Sequence, residues 1–504
     1  MSKKLVYLMF LVIILTGVLV ASTNVHRVEA PSTTIYIRAD GSIEPFTDLI
    51  FTADSITYYF TDSFNASIVV EKSNIIIDGD GYTLAGPYTE IGFNLTDLTN
   101  VTIRNVNVRG FGYGIYLQSS TLNIISENNI TFNEGNIYLG NSFNNTITGN
   151  TITDGAEAIQ LYASSNNTIS CNSMSDNYNG VWSRLNSAEN VISENNITEN
   201  YAGIYLNSSS KNTISENNIA DNNEGISVER SSNNTIAGNN ITRNSDMGVW
   251  VLSNSRYNTM IRNNIDNNYR GIVVQTSHSN TVVGNNITRN SDYGIFLYIN
   301  INNNAFYHNN FLGNTHHAGT YIPSVSVWDN GYPSGGNYWS NYTGVDLDPD
   351  GIGDTEHVIN ENNTDNYPLM GMFSDFQATS ENHVQTVSNS TVSDFQFNGT
   401  ATSFNVSGEN GTIGFCRVFI PTALMNTTYR VFVNGTEVSY TLLPFSNSTH
   451  SYLYLTYNHS TQEVIIIPEF PLSLVILPLF MITTLLVALM YRRRKLTRPS
   501  AHTL

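Results

Sequence analysis

The chain has 504 residues, of which 40% are hydrophobic and only 12% are charged, and its formal net charge is −19. A chain of this length exceeds one ordinary hydrophobic core unless the core grows by repetition. The negative charge argues against nucleic acid or anionic lipid as the main partner and directs attention to cation sites. The two cysteines, Cys171 and Cys416, exclude a disulfide framework and leave open a single bridge or two free, packed thiols.

The two ends of the chain predict export and anchoring. Residues 1–30 carry two lysines near the start, then an apolar run, then small and polar residues, which is the pattern of a secretory signal peptide. An uncleaved N-terminal anchor is the alternative. Residues 471–491 are apolar and a basic cluster follows, which predicts a C-terminal transmembrane helix with a cytoplasmic tail at 496–504. The rest of the protein is therefore expected outside the cell, at its surface.

The beginning of this C-terminal segment reads Pro468-Glu469-Phe470-Pro471. Followed by an apolar span and a basic cluster, it resembles the PEF-type sorting signal of archaeal surface proteins. The resemblance implies that an archaeosortase processes residues 468–495 and that the mature protein is anchored covalently. A plain membrane anchor is the alternative.

From about Val101 to about Asn310 the sequence repeats with a period of about 22–24 residues, which is in the range of solenoids. Each unit carries asparagine at three positions that are five residues apart. Asparagine tolerates the left-handed backbone of tight corners, and its amide can form ladders between coils. The three columns are Asn123, Asn145, Asn167, Asn190, Asn212, Asn234, Asn258, Asn280 and Asn304; Asn128, Asn150, Asn172, Asn195, Asn217, Asn239, Asn263, Asn285 and Asn309; and Asn133, Asn177, Asn200, Asn222, Asn244, Asn268, Asn290 and Asn314, with Gly155 in the one gap.

Apolar residues lie between these corners, for example Ile192, Ile197 and Ile204 in one unit. They are expected to point inward and to stack into a continuous core. The units lack both a 3.6-residue period and a leucine-rich frame, which excludes a leucine-rich repeat. The sequence therefore predicts an all-β protein, a right-handed parallel β-helix with three-strand coils at residues 101–320, preceded by a cap and first coils at 31–100.

The sequence changes character twice after the repeats. Residues 321–371 are rich in Gly, Pro, Trp and Tyr and predict a C-terminal cap. Residues 372–467 contain short alternating runs and predict a small β-sandwich that acts as a stalk. Sequons for asparagine-linked glycans are dense and predict a glycoprotein; examples are Asn196, Asn240, Asn286, Asn398 and Asn434.

The repeat array and its ending together resemble the NosD-type β-helix proteins over roughly residues 35–370. The resemblance implies a right-handed parallel β-helix from a broad set of carbohydrate-binding and sugar-hydrolysing proteins. It also implies a link to the maturation of a copper enzyme, although β-helix repeats are shared by proteins of many functions.

A first candidate site is an acidic loop within the predicted cap. Its spacing matches the start of a calcium loop, with Asp346, Asp348, Asp350, the Ile352 carbonyl and Asp354 as ligands. The terminal glutamate of an EF-hand is absent, because His357 stands there. The loop also resembles those of thrombospondin type 3 repeats, which do without this glutamate. The sequence predicts a structural Ca²⁺, with a solvated acidic turn as the alternative.

A second candidate is a column of residues expected to point outward from the third strand of each coil. Six of its members are aromatic and predict a platform for sugar rings, whereas stacking between coils is the alternative. They are Tyr116, Tyr138, Trp182, Tyr205, Trp250 and Phe296, with Gln160, Ser227 and Val273 between them.

A third candidate is an acidic column just before the third corner, formed by Asp154, Asp176, Glu199 and Asp221. Stacked carboxylates favour a bound cation or a catalytic pair, and a solvated turn edge is the alternative. Weaker candidates are a copper or zinc site at His308, His316 and His317, and a basic cluster of Arg256, Arg262 and Arg270 with Asp266.

The sequence contains no nucleophile elbow, phosphate-binding loop or His-Glu-x-x-His motif, which favours a binding or structural role over catalysis. The best prediction is a surface-anchored β-helix protein that binds glycans or serves as an envelope or adhesion component. The alternatives are an extracellular polysaccharide lyase, epimerase or hydrolase, and a NosD-like role in copper handling.

Overall fold

The computed structural model describes residues 33–321, 324–425, 428–469, 482–490 and 492. The predicted signal peptide and most of the predicted C-terminal signal lie outside these residues. Residues 482–490 and 492 are helical, and among the described residues no helix is both long and apolar enough to cross a bilayer. The chain forms two compact units, Met1–Tyr205 and Leu206–Leu504.

The protein is all-β, a right-handed parallel β-helix of about 12 turns followed by small antiparallel sheets, which confirms the predicted class. Each regular coil gives one short strand to each of three parallel sheets. Side chains alternate along a strand, so the middle residue of a three-residue strand points inward. In Thr168–Ser170, for example, Ile169 is fully buried and its two neighbours are half-buried.

The first unit contains three sheets of parallel strands, with two short antiparallel strands at its N-terminal end. The first sheet comprises Ile50–Phe51, Thr57–Phe60, Ile75–Asp78, Val101–Arg104, Ile124–Ser126, Thr146–Thr148, Thr168–Ser170 and Val191–Ser193; the second comprises Thr83–Ala85, Asn107–Arg109, Asn129–Thr131, Thr151–Thr153, Ser173–Ser175 and Asn196–Thr198; the third comprises Thr33–Ile37, Ile43–Glu44, Phe64–Val70, Ile91–Thr96, Tyr113–Gln118, Gly135–Gly140, Glu157–Tyr162, Asn179–Arg184 and Ala202–Asn207.

The second unit repeats this arrangement and then changes to antiparallel pairing. Its first sheet comprises Thr213–Ser215, Thr235–Ala237, Thr259–Ile261, Thr281–Val283, Asn302–Tyr307 and Val325–Val327; the second comprises Asn218–Ala220, Asn240–Thr242, Asn264–Asp266, Asn286–Thr288, Asn310–Leu312 and Tyr338–Trp339; the third comprises Glu224–Glu229, Met247–Leu252, Arg270–Val274, Tyr293–Leu297 and His316–Thr320. His357–Asn360 and Asn363–Asp365 form a hairpin.

Two five-stranded antiparallel sheets complete the second unit. They share a core to which Val418 and Leu453 contribute from one sheet and Phe404 and Val464 from the other. Both cysteines are free; Cys416 lies in this core, but Cys171 is exposed rather than packed as expected. The sheets comprise Met372–Gln377, His383–Ser388, Ile413–Pro421, His450–Asn458 and Thr441–Leu442; and Thr391–Phe397, Thr402–Ser407, Gln462–Pro468, Tyr429–Val433 and Thr436–Val438.

The asparagine columns are buried ladders of side-chain amides. Asn145 Oδ1 accepts hydrogen bonds from the backbone N–H and from the Nδ2 of Asn123, at 2.9 and 3.0 Å. Asn145 Nδ2 in turn donates to Asn167 Oδ1 and to the carbonyl of Ser120, both at 3.0 Å. Each amide therefore satisfies the backbone of a corner that water cannot reach, which removes the cost of burying it.

The ladder asparagines do not adopt the left-handed conformation that we expect of them. In each corner the residue immediately before the ladder asparagine has the positive φ instead, for example 58° at Leu122, 58° at Glu127 and 53° at Phe132. Side chains such as leucine and phenylalanine disfavour this region, so the buried amides on either side must hold the backbone there. The asparagine is required for its hydrogen bonds, not for its φ.

A glycine column in the third sheet is missing from the sequence prediction, although the dipeptides Gly-Ile and Gly-Val repeat at it. A Cβ on Gly114 would lie 2.8 Å from the carbonyl oxygen of Asn136 and 3.1 Å from Asn133 Nδ2. A Cβ on Gly180 would lie 2.5 Å from the carbonyl oxygen of Gly203. The glycines therefore make room for the next coil, and in part for the third ladder.

The second ladder continues beyond the predicted repeats and ends at a carboxylate. Asn309 donates to Asn337 Oδ1, and Asn337 donates its backbone N–H to Asp365 Oδ2 at 2.8 Å. Trp339 Nε1 also donates to Asp365 Oδ2 at 2.8 Å, and the Tyr367 N–H donates to Oδ1. Burial raises the pKa of the fully buried Asp365 to about 7.

The contacts at the joint between the last coils and the antiparallel sheets do not repeat from coil to coil. The His308 ring stacks on Phe373 with centroids 4.2 Å apart, and burial lowers the pKa of His308 to about 4. The fully buried Arg417 donates from Nη1 to the Asp350 carbonyl at 3.0 Å and lies over the ring of Phe419.

Candidate functional site

The outward surface of the third sheet in the first unit is called the aromatic face here and lies between Tyr113 and Tyr205. Strand pairing aligns Tyr116 with Tyr138, Tyr138 with Gln160, and Gln160 with Trp182. The repeat frame therefore places these side chains in one column on successive coils. The structure brings together the predicted residues of this unit, and all four rings are half-buried.

The rings form two stacked pairs rather than an open platform. Tyr116 and Tyr138, the first pair, are parallel to within 5° with centroids 4.9 Å apart. Trp182 and Tyr205, the second pair, are parallel to within 2° with centroids 6.3 Å apart. Stacked rings cover much of each other's faces. Each ring keeps one face outside its pair, and Arg184 also lies over the ring of Trp182.

The two pairs are separated by one coil, called the polar coil here and comprising residues 155–162. Its residue in the ring column is Gln160, which is only 7% exposed. Because parallel strands lie about 4.8 Å apart, the second pair starts about 9.6 Å from the end of the first. The ring column is therefore interrupted by one polar position with an aromatic ring on each side, and this interruption is called the gap.

The polar coil carries a carboxyl group that the sequence prediction omits. Glu157 is half-buried at the start of its third strand, and burial raises the pKa of its carboxyl above the usual range. The nearby Glu134 adds to this rise, whereas Arg184 opposes it. Arg184 lies over the rings of Trp182 and Tyr162, 4.4 and 5.1 Å from their centroids. The gap thus combines an acid, an amide and a cation.

The same coil also breaks the third asparagine ladder. Gly155 has no side-chain amide, and Asn136 from the preceding coil supplies one: it accepts from Asn133 Nδ2 at 2.9 Å and donates to Asn177 Oδ1 at 3.1 Å. A Cβ on Gly155 would lie 2.4 Å from Asn136 Nδ2. Departures from a regular pattern concentrate at functional sites in natural proteins. Here the corner and the face depart from the repeat in one coil.

Two further exposed rings lie at the rim of the aromatic face. Tyr178 and Tyr201 directly follow the third corner, are 57% and 46% exposed, and stack with centroids 4.7 Å apart. Tyr113, at the other rim, covers Gly135, where a Cβ would lie 2.8 Å from its ring. Reading the repeat three residues before the ring column would have found Tyr113 and Glu157, and two residues after it Tyr162 and Arg184.

In the second unit the equivalent column is less open. Trp250 is half-buried, and its indole N–H has no acceptor among the described residues. Phe296 is only 8% exposed because Arg270 and Tyr293 pack against its ring, so it is not the exposed platform that we expect. Ser227 and Val273 are also buried.

The acidic column occupies the left-handed position of the third corner, with φ between 55° and 59° at its four members. Asp154 accepts a hydrogen bond from Thr153 Oγ1 at 2.7 Å. Asp221, in the second unit, forms a bidentate pair with Arg243, which lowers the pKa of Asp221. Within the described residues this column does not form a group of three close ligands.

The acidic loop of the cap does form such a group. Carboxylate oxygens of Asp346, Asp348 and Asp354 lie within 4.8 Å of one another. Asp350 is not a member: its Oδ1 lies 3.9 Å from Arg417 Nη1 and accepts the Ile352 N–H at 2.8 Å. Calcium binding stays a prediction, for three carboxylates rather than four.

The predicted histidine site is not assembled. His308 packs on Phe373, His316 stacks on Tyr293, and His317 Nε2 lies 3.0 Å from Ser340 Oγ. The only group of three close ligands in the described ranges is the aspartate group of the cap.

The predicted arginine cluster is also dispersed. Arg262 pairs with Asp375 of the antiparallel sheets, at 3.1 Å. Arg270 pairs with Asp292, and Asp266 pairs with Arg289, both at 2.7 Å. Arg256 is exposed near the first corner.

Comparison with known families gives two matches. The family described as "Periplasmic copper-binding protein (NosD)" matches residues 172–344, and the family described as "Right handed beta helix region" matches residues 91–227. No curated protein matches the chain.

The solved structures that the chain resembles share little sequence with it. The mannuronan C-5 epimerase AlgE6 A-module of Azotobacter vinelandii is 14% identical over 53% of this chain and 89% of that chain, with a TM-score of 0.43. A variant of the periplasmic alginate epimerase AlgG is 15% identical over 58% and 82%, with a TM-score of 0.45. The catalytic domain of a GH87 α-1,3-glucanase is 14% identical over 56% and 63%, with a TM-score of 0.43. The family matches and the parallel coils together make this chain a right-handed β-helix protein.

Proposed function

We propose that the protein binds a polysaccharide across the aromatic face, with one sugar over the polar coil. The observation that carries this proposal is the gap at Gln160, with a stacked aromatic pair on each side and with Glu157 and Arg184 beside it. The C–H faces of sugars pack on aromatic rings, and their hydroxyl groups need donors and acceptors. The gap offers both.

The arrangement suits a chain better than a single sugar. The two aromatic pairs lie on opposite sides of the gap along the axis of the coils. A linear glycan that runs along this axis can contact both, and several weak contacts then add up to useful affinity. The surface-exposed, anchored location predicted from residues 1–30 and 468–495 fits a protein that holds extracellular glycans as an envelope or adhesion component.

The test is polysaccharide binding by the purified full-length chain, first on a glycan array and then by calorimetry. Trp182→Ala is expected to weaken binding about fivefold, because a ring contact is worth about 1 kcal/mol. Phe143→Ala, which removes an exposed ring at the first corner, is the matched control and is expected to change nothing.

A second variant tests the gap itself. Gln160→Tyr restores the ring that the column lacks, replaces the polar side chain between the pairs, and is expected to abolish binding while the fold is retained. Unchanged affinity in Gln160→Tyr, or no binding to any polysaccharide by the parent, would contradict the proposal.

A second candidate function is polysaccharide cleavage or epimerisation at the same gap. It is favoured by the raised pKa of Glu157, since a half-buried acid is suited to proton transfer. Glu157→Gln would then keep binding but stop product formation, measured by chromatography of the digested polysaccharide. A parent protein that binds but forms no product in any digest excludes catalysis.

Copper handling, named in one matching family, receives less support, because the predicted histidines are dispersed. Copper at one equivalent per chain after purification would reverse this conclusion.

A further inference from the structure

Sequons recur at one position of the second sheet. Asn129 and Asn196 in the first unit, and Asn240 and Asn286 in the second, are each the first residue of a strand and are exposed. Each is followed two residues later by threonine. Because side chains alternate along a strand, the asparagine and its threonine share the outward side.

Sequons also recur at the first corner. Asn100, Asn144, Asn166 and Asn233 are the exposed residues of positive φ just before the first strand, and each again has threonine two residues later. In each of these tripeptides the exposed asparagine is therefore the acceptor of the sequon.

The buried ladder asparagines cannot be sequons. In the third ladder the residue two positions after the asparagine is neither serine nor threonine, for example Gly135 after Asn133 and Arg270 after Asn268. In the first and second ladders that residue points into the core, for example Ile147 after Asn145 and Ile130 after Asn128. An apolar residue there is required by the core and excludes serine or threonine. The alternation that builds the coil thus separates structural asparagines from those available for modification.

No residue of the third-sheet strands between Tyr113 and Tyr205 heads a sequon, because the sequons in this range lie at the first corner and on the second sheet. Asn94 lies one coil before Tyr116 in the same column, heads a sequon, and marks the end of the aromatic face. Asn207, the last residue of the strand Ala202–Asn207, heads a sequon, but it is half-buried and its Nδ2 donates to Glu229 at 2.9 Å.

We propose that asparagine-linked glycans coat the first corner and the second sheet and leave the aromatic face bare. The Nδ2 of each acceptor forms a bond to the anomeric carbon of a lipid-phosphate-linked oligosaccharide. The bond from that carbon to the phosphate oxygen breaks, the lipid phosphate leaves, and a base of the transferase takes the Nδ2 proton. This requires the export predicted from residues 1–30.

The folded coil can accommodate the product. Asn129 Nδ2 donates to Asn107 Oδ1 at 3.2 Å, and a glycosylated amide keeps one N–H for such a bond. The acceptor strands are already paired in the folded protein, so the transfer takes place on the emerging chain, before the coils close.

The test is expression of the full chain in a host that exports it and glycosylates Asn-x-Thr sequons, with a known glycoprotein as a positive control. Peptide mass spectrometry is expected to find glycans on Asn129, Asn196, Asn240 and Asn286. Asn196→Gln and the shape-conserving Thr198→Val are each expected to remove one glycan from the total.

Unmodified asparagines at these positions, with the control glycoprotein fully modified, would overturn the proposal. So would glycans confined to the antiparallel sheets. Polysaccharide binding by the aromatic face plays no part in this measurement, so the two proposals succeed or fail separately.

Discussion

The corners of the coils and the joint at the end of the helix both bury polar groups, but they satisfy them differently. The same neutral group, the side-chain amide of asparagine, recurs at the corners, and each amide is hydrogen-bonded to the same atoms of its neighbours. The joint uses single groups of different chemistry, such as His308 and Arg417, some of which titrate. The stability contributed by the corner amides is therefore spread evenly and is insensitive to pH, whereas at the joint stability depends on a few residues and on their protonation.

The largest effect is expected within a ladder of the first unit. Asn172→Ala removes the acceptor of Asn150 and the donor to the Ile147 carbonyl, both buried. At about 1–3 kcal/mol for each unsatisfied group, the loss should be about 4 kcal/mol. Urea unfolding measures it, with Thr151→Ala on the exposed side of a second-sheet strand as the control. A loss no larger than the control's would show that water replaces the amide.

The joint should give the protein its pH dependence. His308 has a pKa of about 4 in the folded protein against 6.5 when unfolded, so it is neutral in the fold and takes up a proton on unfolding. Its contribution is present above pH 6.5 and is lost as the pH falls towards 4. At about 1.4 kcal/mol per pKa unit, the loss is about 3 kcal/mol.

The measurement compares the parent with His308→Gln at a series of pH values. The glutamine keeps a donor for Ser334 but does not titrate in this range. Asp365, whose pKa is raised to about 7, acts in the opposite direction but equally in both proteins. Parallel stability curves for the two proteins would rule out His308 as the source.

A smaller effect is expected where the ladder is broken. Gly155→Asn should be destabilising because its side chain meets the amide of Asn136, and Asn136→Gly should be destabilising because the ladder loses that amide. The double variant restores the regular pattern and should recover about 2 kcal/mol relative to the sum of the two losses. Additive losses would mean that Asn136 does not substitute for the missing ladder residue.

The smallest effect on stability is expected from the acidic loop of the cap. If Asp346, Asp348 and Asp354 hold Ca²⁺ at ten times its Kd, chelation should cost about 1.4 kcal/mol. Thermal unfolding with and without a chelator measures this cost, and Asp348→Asn should make the protein indifferent to the chelator. An unchanged melting temperature of the parent protein would contradict calcium binding by this loop.

The features that the sequence predicts correctly are those that repeat from coil to coil. The three asparagine columns, the inward isoleucines and the ring column all follow from one alignment of the units, because each coil meets the same neighbours. Glu157 and Asn136 differ from the residues at the same positions of most other units. An alignment that searches for residues shared by the units therefore does not find them. Arg417 and Asp350 meet across 67 positions of sequence with no period to connect them, so no local pattern predicts their contact.

The wrong assignment of the corner conformation has a simpler cause. Asparagine is common in left-handed corners, but in this fold its hydrogen-bonding capacity is needed one residue later. Leu122 and Phe132 occupy left-handed positions because the buried ladder holds them there, which outweighs their own preference.

The carboxylate at the end of the second ladder gives the array a direction. Every amide in that ladder donates towards the C-terminal end, and Asp365 can accept but has no side-chain N–H to pass on. A further coil inserted before Asn337 would meet the same donors and acceptors as its neighbours, whereas one added after Asp365 would find no side-chain donor. Such a protein can lengthen in steps of about 4.8 Å by duplicating a coil, while Asp365 still ends the ladder.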